Sequence, residues 1–336
     1  MRHQRFAYAH LLSTYLTFFF QCLFTSRSPP TLFTLAALAG LKPAPVGRLR
    51  ETYSHLYYSS TKKILFCVRG THPLYSLDAS LIDLSVHLFP WAASHQDKAC
   101  VKLSVGLNHG NMLPEFVALS EGNENDMIQG RQFNVPKGSM VAFDKGYVDY
   151  QWFKSLTDKG IFFVTRLRPK AVYKILERKP VNKTQGVTSD QIIQLNSAHA
   201  IKRGAPKLRR VGFVDKETGK HYVFLTNHFS LSAATIAAIY KDRWQVELFF
   251  KAIKQNLKIK AFVGTSKNAI LTQIWIAMIT YLLLSFARHL AKAGWTVQRI
   301  LRIVQLNLFE RRSLKEILNP DPPRHKKSEP QMRFAL

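Results

Sequence analysis

The chain has 336 residues, of which 46% are hydrophobic and 12% aromatic, so it can bury a substantial core and wholesale disorder is excluded. Its 48 Lys and Arg residues outnumber its 21 Asp and Glu residues, which gives a formal net charge of +27 at pH 7. Such a charge favours a polyanionic partner, and nucleic acid is the first candidate because Lys and Arg displace counterions from phosphates. The alternative is a soluble basic protein without such a partner.

The cysteines are few and widely spaced. Cys22, Cys67 and Cys100 are the three, and none of them forms a C-x-x-C pair. The sequence therefore indicates neither a disulfide framework nor a thiolate zinc site, as is typical of proteins in a reducing cytoplasm.

Two apolar stretches resemble export or membrane signals. Residues 11–24 follow basic residues as a secretory signal does, but Gln21 interrupts them and residues 25–30 are a poor cleavage site. Residues 269–287 carry no charge and are long enough to span a membrane. Four polar residues lie within them: Thr272, Gln273, Thr280 and Ser285. We therefore predict a buried core helix there and no membrane partner.

The first orderly pattern begins at residue 72, after a region with few recognisable signals. Residues 73–77 predict a short strand that ends at Asp78, and residues 101–107 and 114–119 predict a hairpin. A polar segment near residues 123–132 predicts a helix. Residues 139–143 then predict a buried strand that delivers Asp144 at its end.

A second helix and strand complete this half of the chain, at residues 149–157 and 161–165. The resulting order is three strands, helix, strand, helix, strand, with polar residues at strand ends. This order predicts an α/β fold with a ribonuclease H-like core, a mixed sheet flanked by helices.

The next segment is strongly basic. Residues 166–210 contain 12 Lys and Arg residues, whereas Glu177 and Asp190 are the acidic ones, and three prolines interrupt any helix. We predict a loop-rich insertion here, followed by a hairpin of residues 211–214 and 221–226.

The most specific signal is a stripe of polar residues on the helix after this hairpin. Ser232 is predicted to cap one continuous helix that runs to Leu257. At about 100° per residue, the four stripe residues fall within about 60° of one another, beside an apolar face. They are Tyr240, Arg243, Glu247 and Lys254, with the spacing Y-x2-R-x3-E-x6-K.

Two interpretations of this stripe are open. In the functional one, Glu247 binds a metal while Arg243, Lys254 and the Tyr240 hydroxyl bind phosphate oxygens of a DNA strand end. In the other, Arg243 and Glu247 form an ordinary i, i+4 ion pair on the surface of an amphipathic helix. The two aspartates at upstream strand ends favour the functional interpretation.

These residues resemble insertion-sequence transposases of family four, whose hallmark is the Y-R-E-K pattern. Similar stretches cover about residues 72–310, and they include residues 73–78, 143–147, 223–227 and 240–251. The resemblance implies that Asp78, Asp144 and Glu247 are the catalytic carboxylates and bind two Mg²⁺ ions, for which Mn²⁺ can substitute. It also implies that Lys251 joins Tyr240, Arg243 and Lys254 in binding DNA phosphates. A largely β insertion before the last catalytic helix is a further feature that the resemblance implies.

The implied activity is metal-dependent cleavage and strand transfer at the terminal inverted repeats of a mobile element. Its partners would be those repeats and target DNA, with a homodimer in the DNA complex and a prokaryotic, nucleoid-associated, cytoplasmic location. Residues 1–70 resemble the family's N-terminal domain only weakly, and Asp78-Ala79-Ser80 and Asn125 depart from its usual residues. A non-catalytic or decayed DNA-binding relative is therefore the alternative.

The predicted division of the chain follows from these assignments. It comprises a degenerate or truncated helical region (1–70), the first part of the core (71–167), a basic β-rich insertion (168–231), the second part of the core (232–310) and a tail (311–336).

Other acidic residues compete with the triad. Asp83 is a rival for the first position, although it lies five residues beyond Asp78. We predict that Asp149 and Asp242 are solvated or helix-capping residues.

Overall fold

The computed structural model describes residues 50, 51, 53, 54, 73–94, 98–257, 259, 262, 264–291, 294–307 and 314–319. The chain divides into two compact units, one of Ala36–Ile279 and one of Met1–Leu35 with Thr280–Leu336. Most of the predicted N-terminal region, including the apolar residues 11–24, lies outside the described residues, as does the end of the predicted tail.

The strands and helices alternate along the larger unit. Its strands are β1 (Leu74–Leu84), β2 (Ala93–Ser94), β3 (Lys98–Asn108), β4 (Leu113–Glu121), β5 (Met140–Phe143), β6 (Phe162–Arg166), β7 (Tyr173–Arg178), β8 (Val187–Leu195), β9 (Lys207–Val214) and β10 (His221–Thr226). The helices are α1 (Asp126–Gly130), α2 (Tyr150–Asp158), α3 (Ala198–Lys202), α4 (Ala233–Asp242), α5 (Trp244–Asn256) and α6 (Lys267–Leu290). In the smaller unit, the described residues form the end of α6 together with α7 (Val297–Leu306) and α8 (Leu314–Leu318).

The strands form a mixed sheet whose centre has the order β4-β3-β1-β5-β6. β1 and β3 are antiparallel, as are β3 and β4, whereas β5 is parallel to both β1 and β6. Three antiparallel strands followed by two parallel ones, joined through helices, are the topology of a ribonuclease H-like core. The predicted fold class is confirmed, and so is the hairpin that became β3 and β4.

The insertion extends the same sheet. β10 pairs with β6, and β9, β8 and β7 follow in antiparallel order towards the edge. The prediction of a loop-rich segment at residues 166–210 is wrong, because β7, β8 and half of β9 lie there. The register of β7 against β8 shifts between Ile175 and Glu177, and that of β8 against β9 shifts between Val187 and Ser189. Such bulges break the period-two alternation by which strands are recognised in a sequence.

One of the basic residues of the insertion is used inside the fold. Arg209 donates from Nε and Nη2 to the two carboxylate oxygens of Asp190, at 2.8 and 2.6 Å, and both side chains are buried. Its Nη1 also donates to the backbone carbonyl of Leu231, just before α4. Burial of a charge requires such complete pairing, so this arginine joins β8, β9 and the segment that leads into α4, and it is unavailable to DNA.

Apolar side chains cover both faces of the sheet. On one face, α2 contributes Trp152, Phe153 and Leu156 to a cluster that also contains Phe143 and Phe163. On the other face, α4 contributes Ile236, Ala237 and Tyr240 to a cluster that contains Met140 and Val164. Alternate residues of β5 and β6 serve the two clusters, as a sheet covered on both faces requires.

α6 is the apolar segment that the sequence analysis weighed as a membrane span. By length and composition its residues Lys267–His289 could cross a membrane, and 56% of the most apolar window is buried inside the protein. A single such helix is weak evidence for a membrane span, because the core helix of a soluble protein has the same composition. The burial of Ile270, Ile274 and Met278 agrees with the predicted core helix.

Asp149 is a capping residue, as predicted. Its carboxylate accepts the backbone N–H of Trp152 at the start of α2 and contacts Arg131 and Arg203 at 2.8 and 2.9 Å. Burial raises the pKa of this carboxyl, but the Trp152 hydrogen bond and the two arginines lower it more, and the net pKa is below the usual value.

We expect Asp149→Ala to lower the free energy of unfolding at pH 7 by about 1–2 kcal/mol, through the lost cap and ion pairs. Because the folded-state pKa is depressed, the charge-dependent part of this stability is present above the unfolded pKa of about 3.9 and is lost as the pH falls below it. Urea denaturation at pH 7 and pH 3 measures both effects. Asp158→Ala at the exposed end of the same helix is the control and should change stability by less than about 0.5 kcal/mol.

Candidate active site

The register of β1 against β5 brings the first two predicted carboxylates together. Leu77 of β1 pairs with Phe143, the last residue of the parallel strand β5. Asp78 and Asp144 are the residues that follow this pair, so they lie side by side at the C-terminal end of β5. The prediction that the first strand ends at Asp78 is wrong, since β1 continues to Leu84 through its pairing with β3.

The Asp78 carboxylate is largely enclosed, with 20% of its side chain exposed. Its Oδ1 accepts the backbone N–H of Ala79 at 2.8 Å, and its Oδ2 accepts Nη1 of Arg243 at 2.8 Å. Burial raises the pKa of Asp78 to about 6, and the charge of Arg243 offsets only part of that effect. Asp78 is therefore a carboxylate whose negative charge is not fully compensated within the protein.

Asp144 has the opposite electrostatic character. Its Oδ1 accepts Nη2 and Nε of Arg166, at 2.8 and 3.2 Å, and the Tyr240 hydroxyl at 3.1 Å. Burial raises the pKa of Asp144, but the hydrogen bonds from Arg166 and the other donors lower it further, below its ordinary value. Asp144 precedes a short 3₁₀ helix, and a backbone hydrogen bond from Lys145 at the start of that helix also lowers the pKa of its carboxyl.

Glu247, on α5, lies near the same C-terminal end of β5. Arg243 donates from Nη2 to its Oε1 at 2.6 Å, while the other terminal nitrogen of the same guanidinium binds Asp78. Arg243 thus bridges the first and third predicted carboxylates, of which Asp78 is 165 residues and Glu247 4 residues away in the sequence. The i, i+4 pair of the alternative interpretation exists, but it is part of a partly buried network and is not an isolated surface pair.

The helix that carries the stripe is interrupted. The prediction of one continuous helix from Ser232 to Leu257 is wrong, because α4 ends at Asp242 and α5 begins at Trp244. Around Arg243 the backbone keeps a right-handed helical conformation but bonds to the third residue instead of the fourth, through Arg243 N–H to Tyr240 and Val246 N–H to Arg243. The tighter turn lies at the arginine that bridges the carboxylates. Ser232 does cap α4, as predicted.

The remaining stripe residues have different surroundings. Tyr240 is buried, and burial raises its pKa to about 12, so its hydroxyl is a proton donor to Asp144 at neutral pH. Lys254 donates from Nζ to the backbone carbonyl of Leu81 on β1, at 2.6 Å. Lys251 is exposed on α5. The structure therefore brings three of the four stripe residues to the two aspartates and ties Lys254 to the same strand.

Arg166 is a site residue that the sequence analysis missed. β6 lies next to β5 in parallel register, with Ala142 opposite Val164. The last residue of β6, Arg166, therefore lies beside Asp144 at the C-terminal ends of the two strands. A charged residue that ends an apolar strand, Phe162–Arg166, was the available signal. This signal was not sufficient by itself, because the sequence does not show that this strand lies beside β5.

The rival carboxylates lie elsewhere. Asp83 is exposed further along β1, and its odd spacing from Asp78 places it on the opposite face of the strand. Asp242 is exposed at the end of α4. The geometry favours Asp78 over Asp83 as the partner of Asp144.

Comparisons with known proteins are consistent with this site. The family model described as "Transposase DDE domain" matches residues 69–283. A transposase named y4zB from Sinorhizobium fredii is 34% identical over 275 residues, which are 79% of this chain and 76% of that protein. A transposase for insertion sequence element IS5377 of Geobacillus stearothermophilus is 30% identical over 247 residues, 72% of this chain and 64% of that protein.

Two further similarities are more distant. A transposase for insertion sequence element IS4SA of Synechocystis is 24% identical over 279 residues, 80% of this chain and 76% of that protein. Among solved structures, the piggyBac transposase synaptic complex with hairpin DNA matches 76% of this chain and 55% of that chain, at 9% identity and a TM-score of 0.41. That score is too low to support an argument about this chain.

We expect Asp78→Asn to raise the free energy of unfolding of the protein in EDTA at pH 7 by about 1–3 kcal/mol, because it removes a charge whose pKa is raised by burial. A raised folded-state pKa means that wild-type stability falls as the pH rises from about 4 to about 6. The gain should therefore be present above pH 6 and vanish near pH 4, as measured by urea denaturation. Asp83→Asn, on the same strand but exposed, is the control, and an equal gain there would contradict the assignment.

Proposed function

This chain belongs to the Transposase DDE domain family and is a transposase of the insertion-sequence type, and we propose that Asp78, Asp144 and Glu247 are its catalytic carboxylates. The observation that supports this proposal is the network at the end of β5. One arginine joins Asp78 to Glu247, and the tyrosine three residues before that arginine binds Asp144. Residues far apart in the sequence thus meet in two hydrogen-bonded groups, which the Arg243 guanidinium joins by lying over the Tyr240 ring, 5.5 Å from its centroid.

The donor set fits hard divalent cations. Carboxylate oxygens are the ligands that Mg²⁺ prefers, and Oδ2 of Asp78 and Oε1 of Glu247 face the same guanidinium. Among the described residues no group of three or more His, Cys, Asp or Glu side chains is already arranged around a common metal position. We propose that this region binds two Mg²⁺ ions, or Mn²⁺, and that the arginines supply the counter-charge when metal is absent.

Asp78, Asp144 and Glu247 would hold these cations, which would supply Lewis-acid stabilisation of the charge that develops in phosphoryl transfer. The residues of the chain then have separate tasks. Asp78 and Glu247 would bind a cation at the position that the Arg243 guanidinium occupies between them. Arg166 and Tyr240 fix the orientation of the Asp144 carboxylate, and the hydrogen bonds of Arg166 keep it ionised.

Arg243 is proposed to exchange one anionic partner for another. Its Nε is buried and has no hydrogen-bond partner within the described structure, an arrangement that costs about 1–3 kcal/mol. A DNA phosphate would offer this fork-shaped group a bidentate acceptor as cations take over its place between the carboxylates. The exposed Lys251 and then Lys254 lie about two and three turns beyond Arg243 along α5, where they can contact the same DNA strand.

The reaction proposed for this site is hydrolysis of a phosphodiester at the end of the mobile element, followed by attack of the freed 3′-OH on a phosphate of target DNA. The partners are then the terminal inverted repeats and target DNA, in a homodimer that pairs two ends. The net charge of +27 supports DNA as the partner. A cytoplasmic, nucleoid-associated location goes with that partner.

We expect Asp144→Asn to abolish excision of an element from a plasmid, with a loss of at least about 10³-fold, because an amide can neither compensate a cation nor bind it as a carboxylate does. The assay scores excision of a marker flanked by the element's own ends. Asp83→Asn is the matched control and should excise at the wild-type level. Equal excision by wild type and Asp144→Asn would overturn the catalytic assignment.

Metal titration separates this function from that of a decayed DNA-binding protein. Wild type should bind Mn²⁺ in isothermal calorimetry, Glu247→Gln should lose that binding, and Arg243→Ala should bind Mn²⁺ several-fold more tightly without DNA because the competing guanidinium is gone. Arg243→Ala should also reduce the salt slope of strand-end binding by about 0.9, the loss of one phosphate contact. Lys241→Ala, an exposed lysine paired with Glu217, should leave that slope unchanged. No Mn²⁺ binding by wild type would support the decayed alternative.

A further inference from the structure

A basic groove lies on the face of the sheet covered by α2 and α3, apart from the carboxylates. It is open, encloses about 830 Å³, and runs between α2 and the segment around α3. Four basic residues line it, namely Lys154, Lys159, Lys202 and Arg203. Asp158 is the acidic residue among the lining side chains.

Most of this positive charge is not neutralised within the groove. In the described part of the chain, neither Lys159 nor Lys202 has a carboxylate within ion-pair distance, and both are exposed. Lys154 pairs with Asp158 at 3.5 Å, but 55% and 63% of these side chains are exposed, and such a pair contributes little. A concave wall with excess cations concentrates the positive potential that a polyanion would meet.

One end of the groove is tied to the start of α2 through Asp149. Arg203 in the groove and Arg131 outside it contact the same Asp149 oxygen, at 2.9 and 2.8 Å. Asp149 caps the start of α2 and lies five residues after Asp144. Because α2 runs away from Asp144, the groove begins near the proposed site of chemistry and leads away from it.

The dimensions of the groove suit a DNA backbone. Its lining on α2 extends from Gln151 to Lys159. Eight residue steps of helix span about 12 Å. Duplex DNA advances about 3.4 Å per phosphate along one strand, so this length faces three or four phosphates.

We propose that this groove is a second, sequence-independent DNA-binding site that holds the backbone of a duplex segment extending away from the catalytic carboxylates. The proposal rests on the proposed function in one respect, namely that DNA is the polyanion. It adds a surface apart from the stripe on α4 and α5, formed by α2 of the core and by α3 of the insertion. A net charge of +27 places cations on many surfaces, but here they line a concave path that starts at the catalytic edge.

The decisive experiment measures binding of a random-sequence duplex of 30 base pairs by fluorescence anisotropy over a range of salt concentrations. The double variant Lys159→Ala/Lys202→Ala should lower the slope of log K against log salt by about 2, since each lost phosphate contact removes about 0.9. The matched control Lys241→Ala/Lys267→Ala removes the same charge from exposed lysines already paired with Glu217 and Glu121. Its slope should change by less than about 0.5.

The source of the duplex is decided by two activity arms. If the groove holds DNA that flanks the element, the double variant should nick end-plus-flank substrates more slowly than wild type. If it holds target DNA, the variant should nick normally but join pre-cut ends to target more slowly. Equal salt slopes for the double variant and its control, or wild-type rates in both arms, would overturn the proposal.

Failure of this inference is distinguishable from failure of the proposed function. Glu247→Gln should lose cleavage and keep the wild-type salt slope with random duplex, because Glu247 lies outside the groove. A normal slope in the groove variant together with inactive Asp144→Asn would remove the groove and leave the transposase mechanism. A reduced slope together with an active Asp144→Asn would do the reverse.

Discussion

Parallel pairing of β1 with β5 sets Leu77 beside Phe143, and the next residue on each strand is an aspartate. Both faces of β5 are buried, with Phe143 and Met140 in different apolar clusters, so a shift of one residue would place each side chain against the wrong layer. The packing of the core thereby fixes the distance between two carboxylates that are 66 residues apart in the printed sequence. The position of the third carboxylate depends on this edge, since α5 must approach it.

Two like charges at one edge would repel each other without nearby cations. The protein supplies two arginines from different elements, Arg166 at the end of β6 and Arg243 at the junction of α4 and α5. Their effects on the pKa values of the two aspartates differ. Arg166 keeps the pKa of Asp144 below its ordinary value, whereas the pKa of Asp78 stays near 6 because burial outweighs its single shared guanidinium. The undercompensated carboxylate lies where added positive charge would be most favourable.

Positive charge serves separate purposes in different parts of the molecule. Arg209 forms a buried ion pair with Asp190 and stabilises the insertion. Arg243 balances carboxylates, and the lysines of the α2–α3 groove remain open to solvent. A count of basic residues is therefore a poor measure of DNA-binding surface, because burial and pairing decide which cations remain available.

By itself the sequence determined the order of elements in the core, the β hairpins, the capping role of Asp149 and the Y-R-E-K stripe, because these are written in local periodicity and spacing. It also made Asp78, Asp144 and Glu247 candidates for one site. Strands β7 and β8 of the insertion were not recognised from periodicity, since bulges between Ile175 and Glu177 and between Val187 and Ser189 disturb the alternation. Only the tertiary structure decided that β1 runs past Asp78, that the stripe helix breaks at Arg243, that Arg166 reaches Asp144, and that cations of α2 and α3 line one groove. Each of these depends on which strands and helices become neighbours, and that choice is made by packing between segments distant in the chain.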